Sequence, residues 1–354
     1  MSKARYLSPY DSIQAWMAGE RPALPCQARS PQELASWQRR FRARLRRLLG
    51  PTPLPAPPRL AVLEESDQGD YLRRKIVFDS ERYSSVSAYL LVPKGLAPGE
   101  RRPGILAAHG HGRGKVDVCA VVEDEQGYRE QVAPLNYDYA VGFVRRGYVV
   151  LAPDWRGFGE RQSPPDWVRA GRDQCNVNYL ALGYAGYHLL RLQVWDAQRS
   201  LDLLQSLPEV DGRRLGMGGL SFGGTMTTYT AALDRRIKVA CISGYLSTLG
   251  DAMGTRGLGN FCGSQYMPGL RTLGEIADVA CLIAPRPLVV EMGRQDTCFV
   301  IEDMQRAYQH LAQAYHAAGR PDRLVADVHE GPHAWSGRQA YPWFAKWLGP
   351  GVSP

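Results

Sequence analysis

The sequence has neither a long hydrophobic run nor a signal-peptide pattern. No stretch of its 354 residues approaches the roughly 18 consecutive apolar residues of a membrane-spanning helix. No apolar segment of signal-peptide type follows Met1. We therefore expect a soluble, cytoplasmic protein that does not bind membranes. Since 44% of the residues are hydrophobic and 22% are charged, the chain is not disordered and can bury one large core.

The sequence also has no C-x-x-C pair. Its seven cysteines are an odd number scattered along a long chain, which argues against a disulfide framework, a structural zinc site or a C-x-x-C redox couple. We expect reduced thiols that are mostly buried. The cysteines are Cys26, Cys119, Cys175, Cys241, Cys262, Cys281 and Cys298.

The net charge of +8 is not gathered into a nucleic-acid-binding arm. The densest basic run, residues 39–47, lies inside a pattern of apolar residues spaced by three and four. We therefore expect an amphipathic helix that packs on the main domain and leaves its arginines in solvent, and no nucleic-acid partner. The apolar positions are Leu34, Trp37, Phe41, Leu45 and Leu48.

Capping residues set the limits of this helix. Ser30 is a suitable N-cap, Pro31 suits the first helical position, and Gly50 with the prolines after it ends the helix. The sequence thus predicts a helical extension and proline-rich linker over residues 1–58 and a catalytic domain over residues 59–354. Three strands separated by turns open that domain, which indicates an antiparallel start to a sheet. They lie at residues 60–63, 74–78 and 86–92.

After Pro103, short apolar runs alternate with helical patterns. This alternation predicts an α/β fold with a mostly parallel central sheet and helices on both faces. Two connections, near residues 157–187 and 244–283, are much longer than usual and are therefore expected to carry function. The predicted strands are 105–108, 148–152, 215–218, 239–242, 288–291 and 324–328, and the predicted helices lie near 189–207, 223–233, 301–318 and 337–347.

Gly219-Leu220-Ser221-Phe222-Gly223 fits the pattern G-x-S-x-G where a buried strand gives way to a helix. A serine on so tight a turn is held in a strained conformation that exposes its hydroxyl above the sheet. The flanking glycines are needed because a Cβ there would collide with neighbouring elements. We predict that Ser221 is a nucleophile.

A serine nucleophile needs a base, and the base needs a group that fixes its tautomer. In this type of fold the chain order is serine, acid, histidine. Asp296 follows the predicted strand 288–291, and His333 lies in the loop after the last strand. Glu291 and Asp303 are alternative acids, and His329 is an alternative base.

Backbone N–H groups would have to stabilise the developing oxyanion. The amide of Phe222 directly follows the serine. A second amide is expected in His109-Gly110-His111-Gly112, after the first buried parallel strand, and His111 is the better candidate.

Several motifs occur here in the order found in one superfamily. They are residues 109–112, 152–161, 219–224, 283–287 and 331–333. With them the chain, from about residue 60 to 348, resembles the α/β-hydrolases, and within them the dienelactone-hydrolase-like and acetyl-xylan-esterase-like serine hydrolases. The resemblance implies hydrolysis of carboxylic esters through an acyl-enzyme, with no cofactor and no metal. Dienelactone hydrolases have cysteine in place of Ser221, and cephalosporin and xylan deacetylases have glutamine in place of Phe158 and Phe222.

Other functions fit parts of the sequence. A serine peptidase or a lactone hydrolase would use the same fold and triad. His329-Glu330-Gly331-Pro332-His333 matches the H-E-x-x-H motif of zinc hydrolases, but Gly331 and Pro332 would interrupt the helix that the motif requires. A non-catalytic binding protein is the third alternative, because fold alone does not define activity.

We expect a small-molecule ester with a short acyl group as substrate. Both long connections should fold over the nucleophile, and the bulky side chain of Phe222 should help to fill the acyl site. Tyr245, Tyr266 and Trp335 are candidate substrate contacts. Asp154 and Arg156 are expected to form a structural pair beside this site. Assembly into a homo-oligomer stays open.

Overall fold

The computed structural model describes residues 7–19, 21–164, 167–169, 172–249 and 261–349. The strands within these ranges form one mixed sheet in the order β1-β2-β3-β5-β4-β6-β7-β8-β9. The α/β-hydrolase fold predicted from the sequence is confirmed. The strands are β1 (Ala61–Asp67), β2 (Tyr71–Glu81), β3 (Ser84–Pro93), β4 (Arg102–Ala108), β5 (Val149–Pro153), β6 (Val210–Leu220), β7 (Ile237–Ser243), β8 (Leu288–Gly293) and β9 (Leu324–His329).

The direction of pairing changes once along the sheet. The strands β1, β2 and β3 pair antiparallel with their neighbours, and β3 also pairs antiparallel with β5. From β5 to β9 every pairing is parallel. Short turns join the first strands, whereas segments that contain helices join the parallel ones, as parallel pairing requires. The carboxyl ends of β4, β6, β8 and β9 therefore lie at one edge of the sheet.

Helices cover both faces of the sheet. One hydrophobic cluster joins α2, α7, α8 and α11 to the sheet, and a second, on the other face, joins α5 and α12 to it. The helices are α1 (Pro9–Gly19), α2 (Pro31–Leu49), α3 (Lys115–Val118), α4 (Glu125–Gln131), α5 (Tyr139–Val144), α6 (Gln174–Tyr184), α7 (Leu189–Ser206), α8 (Phe222–Leu233), α9 (Leu270–Leu273), α10 (Ile276–Cys281), α11 (Ile301–Ala317) and α12 (Ala340–Leu348). Within the described ranges, none is long and apolar enough to cross a membrane.

The N-terminal helix α2 forms where its capping residues predict. The Ser30 hydroxyl accepts a hydrogen bond from the Glu33 amide at 3.2 Å, and Gly50 ends the helix. Its apolar side chains join the same core as the sheet. The buried positions are Leu34, Trp37, Phe41, Leu45 and Leu49, so Leu49 takes the place expected for Leu48.

One arginine of α2 is not in solvent, contrary to expectation. The Arg42 guanidinium donates hydrogen bonds to the carbonyl oxygens of Ala232 and Leu282, at 3.0 and 3.2 Å. Burial lowers the pKa of Arg42 to about 10. Its neighbours Arg39, Arg40, Arg44, Arg46 and Arg47 are exposed, as predicted.

Ion pairs after β5 differ from the expected pairing of Asp154 with Arg156. Asp154 instead accepts a hydrogen bond from the buried Lys115 ammonium at 2.6 Å. Arg156 pairs with Asp196 and Glu81 at 2.8 and 2.7 Å. The two side chains thus have different partners, each from a distant segment of the chain.

Candidate active site

Ser221 occupies the turn between β6 and α8. Its φ of 62° and ψ of −120° place a residue other than glycine in a sparsely populated conformation. A Cβ at Gly219 or at Gly223 would lie 2.3 or 1.9 Å from the Ala108 carbonyl oxygen of β4. Glycine is therefore required on both sides of the serine for the turn to pack against the neighbouring strand.

Asp296 and His333 form a hydrogen-bonded pair. Oδ2 of Asp296 lies 2.7 Å from Nδ1 of His333. The other carboxylate oxygen, Oδ1, accepts hydrogen bonds from the backbone amides of Cys298 and Phe299, at 2.7 and 2.8 Å. The carboxylate is thus fixed by its own loop, and it orients the imidazole so that Nε2 is the nitrogen left for another partner.

Ser221 and His333 line the same cavity, which has a volume of about 420 Å³. Asp296 is buried behind His333. The structure therefore brings the three residues predicted for a triad to one place, from three separate strand ends. The cavity is lined by His111, Leu135, Tyr137, Asp173, Asn176, Leu220, Ser221, Phe261, Cys262, Cys298, Phe299 and His333.

The two amides expected to bind an oxyanion lie on the segments after β4 and β6. Phe222 is the first residue of α8, where the helix dipole places partial positive charge. Within the part of the chain that the structure describes, no hydrogen bond engages the amide of Phe222 or of His111. The neighbouring amide of Gly110 instead donates to the Tyr137 hydroxyl at 2.7 Å. Tyr137 thereby holds the loop that carries His111.

The two histidines of this loop have different surroundings. His109 is buried, and its Nε2 accepts the Trp155 amide at 3.1 Å, which ties the end of β4 to the end of β5. Burial lowers the pKa of His109 and favours the neutral ring that this acceptor role requires. His111 is exposed, and its Nε2 lies 2.9 Å from Sγ of Cys262.

The side chain of Phe222 does not fill the acyl site, contrary to the expectation from sequence. It is fully buried and stacks on Phe158, with ring centroids 5.2 Å apart. Both rings also contact His111. Phe261, from the described part of the second long connection, lines the cavity.

In the part of the chain that the structure describes, the lining of the Ser221 cavity includes none of the three candidate substrate contacts. Trp335 is 2% exposed and stacks on Tyr139 at 4.5 Å, in the core beneath α12. Tyr245 and Tyr266 line a second cavity of about 260 Å³, which Phe261 separates from the cavity of Ser221. Residues that the sequence did not single out also line the cavity of Ser221: Asn176 lies in α6, Cys298 lies in the loop before α11, and neither belongs to a motif.

The alternative acids and base have other partners. Glu291, within β8, accepts the amides of Ser336 and Gly337 at 3.0 and 2.8 Å, and burial raises its pKa to about 7. It therefore supports the loop that carries the paired histidine. Asp303 lies in α11 and forms an ion pair with Arg306.

The H-E-x-x-H segment is not helical. The alternative base His329 ends β9 and accepts the amide of Gly331 at 3.2 Å, and residues 330–339 form bends and turns up to the start of α12. The zinc motif needs both imidazoles on one face of a continuous helix. His329 and His333 do not have that arrangement here, because Gly331 and Pro332 lie between them.

The sheet, the strained serine turn and the acid–histidine pair at its carboxyl edge define an α/β-hydrolase. A model of the Abhydrolase family matches residues 1–338 of this chain. The chain therefore belongs to the Abhydrolase family.

Individual relatives agree with this assignment. YtaP of Bacillus subtilis (strain 168), described as a candidate hydrolase, is 27% identical over 288 residues, which cover 79% of this chain and 89% of YtaP. A Bacteroides fragilis NCTC 9343 structure, described as a candidate acetyl xylan esterase, has a TM-score of 0.76 at 18% identity and covers 100% of this chain and 92% of its own. The glucuronoyl esterase of Solibacter usitatus has a TM-score of 0.67 at 15% identity, with 92% and 97% covered. At such identities the two structures show that the fold is shared.

Proposed function

We propose that this protein is a serine esterase that hydrolyses carboxylic esters of short acyl groups through an acyl-enzyme. The observation that carries the proposal is the 2.7 Å pair of Asp296 and His333, which shares one cavity with a serine held in a strained turn. This combination supplies a nucleophile, a base and the group that orients the base.

In the proposed reaction, Nε2 of His333 accepts the Ser221 proton while Oγ attacks the ester carbonyl carbon. The N–H groups of Phe222 and His111 would donate hydrogen bonds to the resulting oxyanion. The imidazolium then donates its proton to the departing alcohol, which leaves an acyl-serine. Water, activated by the same imidazole, releases the acid. Throughout the reaction the Asp296 carboxylate accepts a hydrogen bond from the Nδ1–H group of His333.

The comparisons support ester substrates. The solved structures that share the fold include proteins named glucuronoyl esterase and acetyl xylan esterase. A cavity of about 420 Å³, with Phe261 and Phe299 in its walls, suits a short acyl group. Asp173 and Asn176 supply polar groups at the same cavity, which suits a hydroxylated alcohol. We therefore favour a short-chain ester of a polar alcohol.

Two measurements test the proposal. A fluorophosphonate should label Ser221, as read by peptide mass mapping, and labelling of another residue would contradict the assignment. In a series of 4-nitrophenyl esters, acetate or butyrate should give a higher kcat/KM than octanoate. Each further methylene gains about 0.8 kcal/mol only where the cavity has room for it, and this cavity suits a short acyl group. A maximum at eight carbons or more would indicate an open lipase-like groove.

The same assays separate the alternatives. Efficient cleavage of peptide anilides would favour a serine peptidase, and preference for cyclic esters would favour a lactone hydrolase. Activity that a chelator removes and Zn²⁺ restores would favour a metallohydrolase. Binding of esters without turnover would indicate a non-catalytic protein.

A further inference from the structure

Three groups with reactive side chains meet beside the cavity of Ser221. Nε2 of His111 and the Sγ atoms of Cys175 and Cys262 lie within 4.8 Å of one another. Cys262 lines the cavity, whereas Cys175 is 4% exposed and lies behind it. A small molecule that enters the cavity therefore reaches Cys262 first.

The two thiols come from the two long connections. Cys175 is in α6, within residues 157–187, and Cys262 follows in the connection 244–283. These segments are held together at this point. The Gly263 amide donates to Oδ1 of Asn176 at 2.8 Å, and the rings of Tyr179 and Tyr266 meet edge to face at 5.6 Å. The sulfur atoms are thus kept near each other by contacts on both sides.

The environment makes the two thiols unequal. Hydrogen bonding from the Cys175 thiol, together with the nearby His111 imidazole, lowers the pKa of Cys262. The same hydrogen bond and burial raise the pKa of Cys175, which stays a protonated donor. A thiolate in contact with an imidazole is the form of cysteine that reacts with peroxides.

We propose that Cys262 and Cys175 are an oxidation site that forms a reversible disulfide when the protein meets a hydroperoxide. The Cys262 thiolate attacks the peroxide: an S–O bond forms, the O–O bond breaks, and hydroxide or alkoxide leaves. The Cys175 sulfur then attacks the sulfenic acid on Cys262, so that an S–S bond forms and the S–O bond breaks. Water leaves with the Cys175 proton. The two cysteines are oxidised by two electrons, and the peroxide is reduced by two.

The disulfide would change the proposed esterase site beside it. It removes the thiolate that faces the His111 imidazole, and it joins the two connections at the wall of the cavity. Because the His111 amide is one of the two proposed oxyanion donors, we expect oxidation to slow ester hydrolysis several-fold. This consequence rests on the proposed function, whereas disulfide formation does not.

A second thiol pair provides a matched comparison. Cys26 and Cys281 also share a hydrogen bond, and again the pKa of one is lowered and that of the other raised. Cys26 is 4% exposed and Cys281 is fully buried, and neither lines the cavity of Ser221 or the second cavity. This pair has similar electrostatics without access, so it should remain reduced.

The test treats the reduced full-length protein with hydrogen peroxide, alkylates the remaining thiols and maps the peptides by mass. We expect one Cys175–Cys262 cross-link, with the loss of two hydrogens, that dithiothreitol reverses. Cys26 and Cys281 should be recovered in alkylated form, because they stay reduced during the peroxide treatment. In Cys175→Ser, dimedone should trap a sulfenic acid on Cys262. Hydrolysis of 4-nitrophenyl acetate should fall several-fold after oxidation and recover after reduction.

Several results would overturn the proposal. The first is that Cys262 is still free to be alkylated after peroxide treatment. The second is a cross-link of Cys262 with Cys298, and the third is oxidation of Cys262 no faster than that of Cys26 and Cys281. One equivalent of zinc in the purified protein that is lost in Cys262→Ser would make the cluster a metal site instead. A cross-link that leaves hydrolysis unchanged would refute the link to the oxyanion donor. Absence of hydrolysis in the reduced protein as well would refute the esterase proposal, while the mapping would still decide the thiol chemistry.

Discussion

Among the residues that the structure describes, two aspartate–histidine pairs have the same separation. Asp296 lies 2.7 Å from Nδ1 of His333, and Asp278 lies 2.7 Å from Nε2 of His310. Each carboxylate also accepts hydrogen bonds from two backbone amides. Those of Asp278 come from Cys26 and Glu275, at 2.7 and 2.8 Å.

What differs is the location of each pair. The first lies at the carboxyl edge of the sheet, and its imidazole lines the cavity that contains Ser221. The second joins α10 to α11 and to the segment before α2, and neither of its residues lines that cavity. An oriented imidazole is therefore not a sign of catalysis by itself. A nucleophile and an accessible cavity on its free side are needed as well.

The largest expected effect separates the two histidines. His333→Ala should reduce kcat for 4-nitrophenyl acetate about 10⁶-fold, on the scale of triad knockouts, and Ser221→Ala should do the same. His310→Ala should leave kcat within a few-fold of the wild type, because its imidazole does not reach the cavity. Circular dichroism would check that each variant folds. Comparable losses for both histidines would remove the distinction.

Substitution of the two aspartates should likewise affect kcat at Asp296 and not at Asp278. Asp296→Asn should lower kcat about 10⁴-fold with little change in KM, because an amide in place of the carboxylate favours the wrong tautomer of His333. Asp278→Asn, as the matched variant, should change kcat little. Steady-state kinetics on both would decide. A mild effect of Asp296→Asn would point to another acid, with Glu291 the nearest candidate by its position in β8.

The pair of Asp278 and His310 should contribute to the stability of the fold. Asp278 is 1% exposed and joins three segments, so Asp278→Ala should lower the free energy of unfolding by about 2 to 3 kcal/mol. We place the loss at the low end for broken buried pairs because the His310 side chain is 30% exposed. Urea denaturation measures it. A loss below about 0.5 kcal/mol would show that Asp278 is dispensable for packing.

The smallest effect is a dependence on pH. The hydrogen bond that His310 donates to the Asp278 carboxylate raises the pKa of His310 above its ordinary value of about 6.5. The pairing therefore stabilises the folded chain fully below that ordinary value, and the stabilisation is lost as pH rises through the raised pKa. Unfolding free energies of wild type and His310→Gln should thus differ more at pH 5.5 than at pH 9. A difference that grows with pH would contradict this sign.

Activity should change with pH in the opposite direction. A general base must be in its neutral form to accept the serine proton, so kcat/KM should fall on acidification. A pH profile of ester hydrolysis in the range where the protein stays folded would measure this. Activity that rises toward acid would exclude a neutral imidazole base.

The sequence predicts the sheet and the larger helices because their signals are local. Helix α7 was expected at residues 189–207 and spans Leu189–Ser206, and α11 differs from its prediction by one residue. The position of Ser221 follows in the same way from a turn and its glycines. Asp296 and His333 could be placed as candidates because each follows a strand, and chain order restricts the choice.

The walls of the cavity could not be predicted in this way. The contact of His111 with Cys262 joins residues 151 apart, and no periodic pattern encodes it. The direction of the Phe222 side chain depends on Phe158, which comes from another loop. His310 likewise falls within the predicted helix 301–318 and Asp278 within the long connection 244–283, and neither belongs to a motif. Contacts of this kind are set by tertiary packing and become visible only when the segments are assembled.

Helix α2 has its partners far along the chain, and this matters during synthesis. The side-chain amide of Gln38 donates to the carbonyl oxygens of Cys281 and Ala284, which are 243 and 246 residues later. At translation rates of about 5 to 20 residues per second, the ribosome takes on the order of 10 to 50 seconds to add them. Throughout that interval α2 lacks these two partners, so its native contacts are completed only late in synthesis.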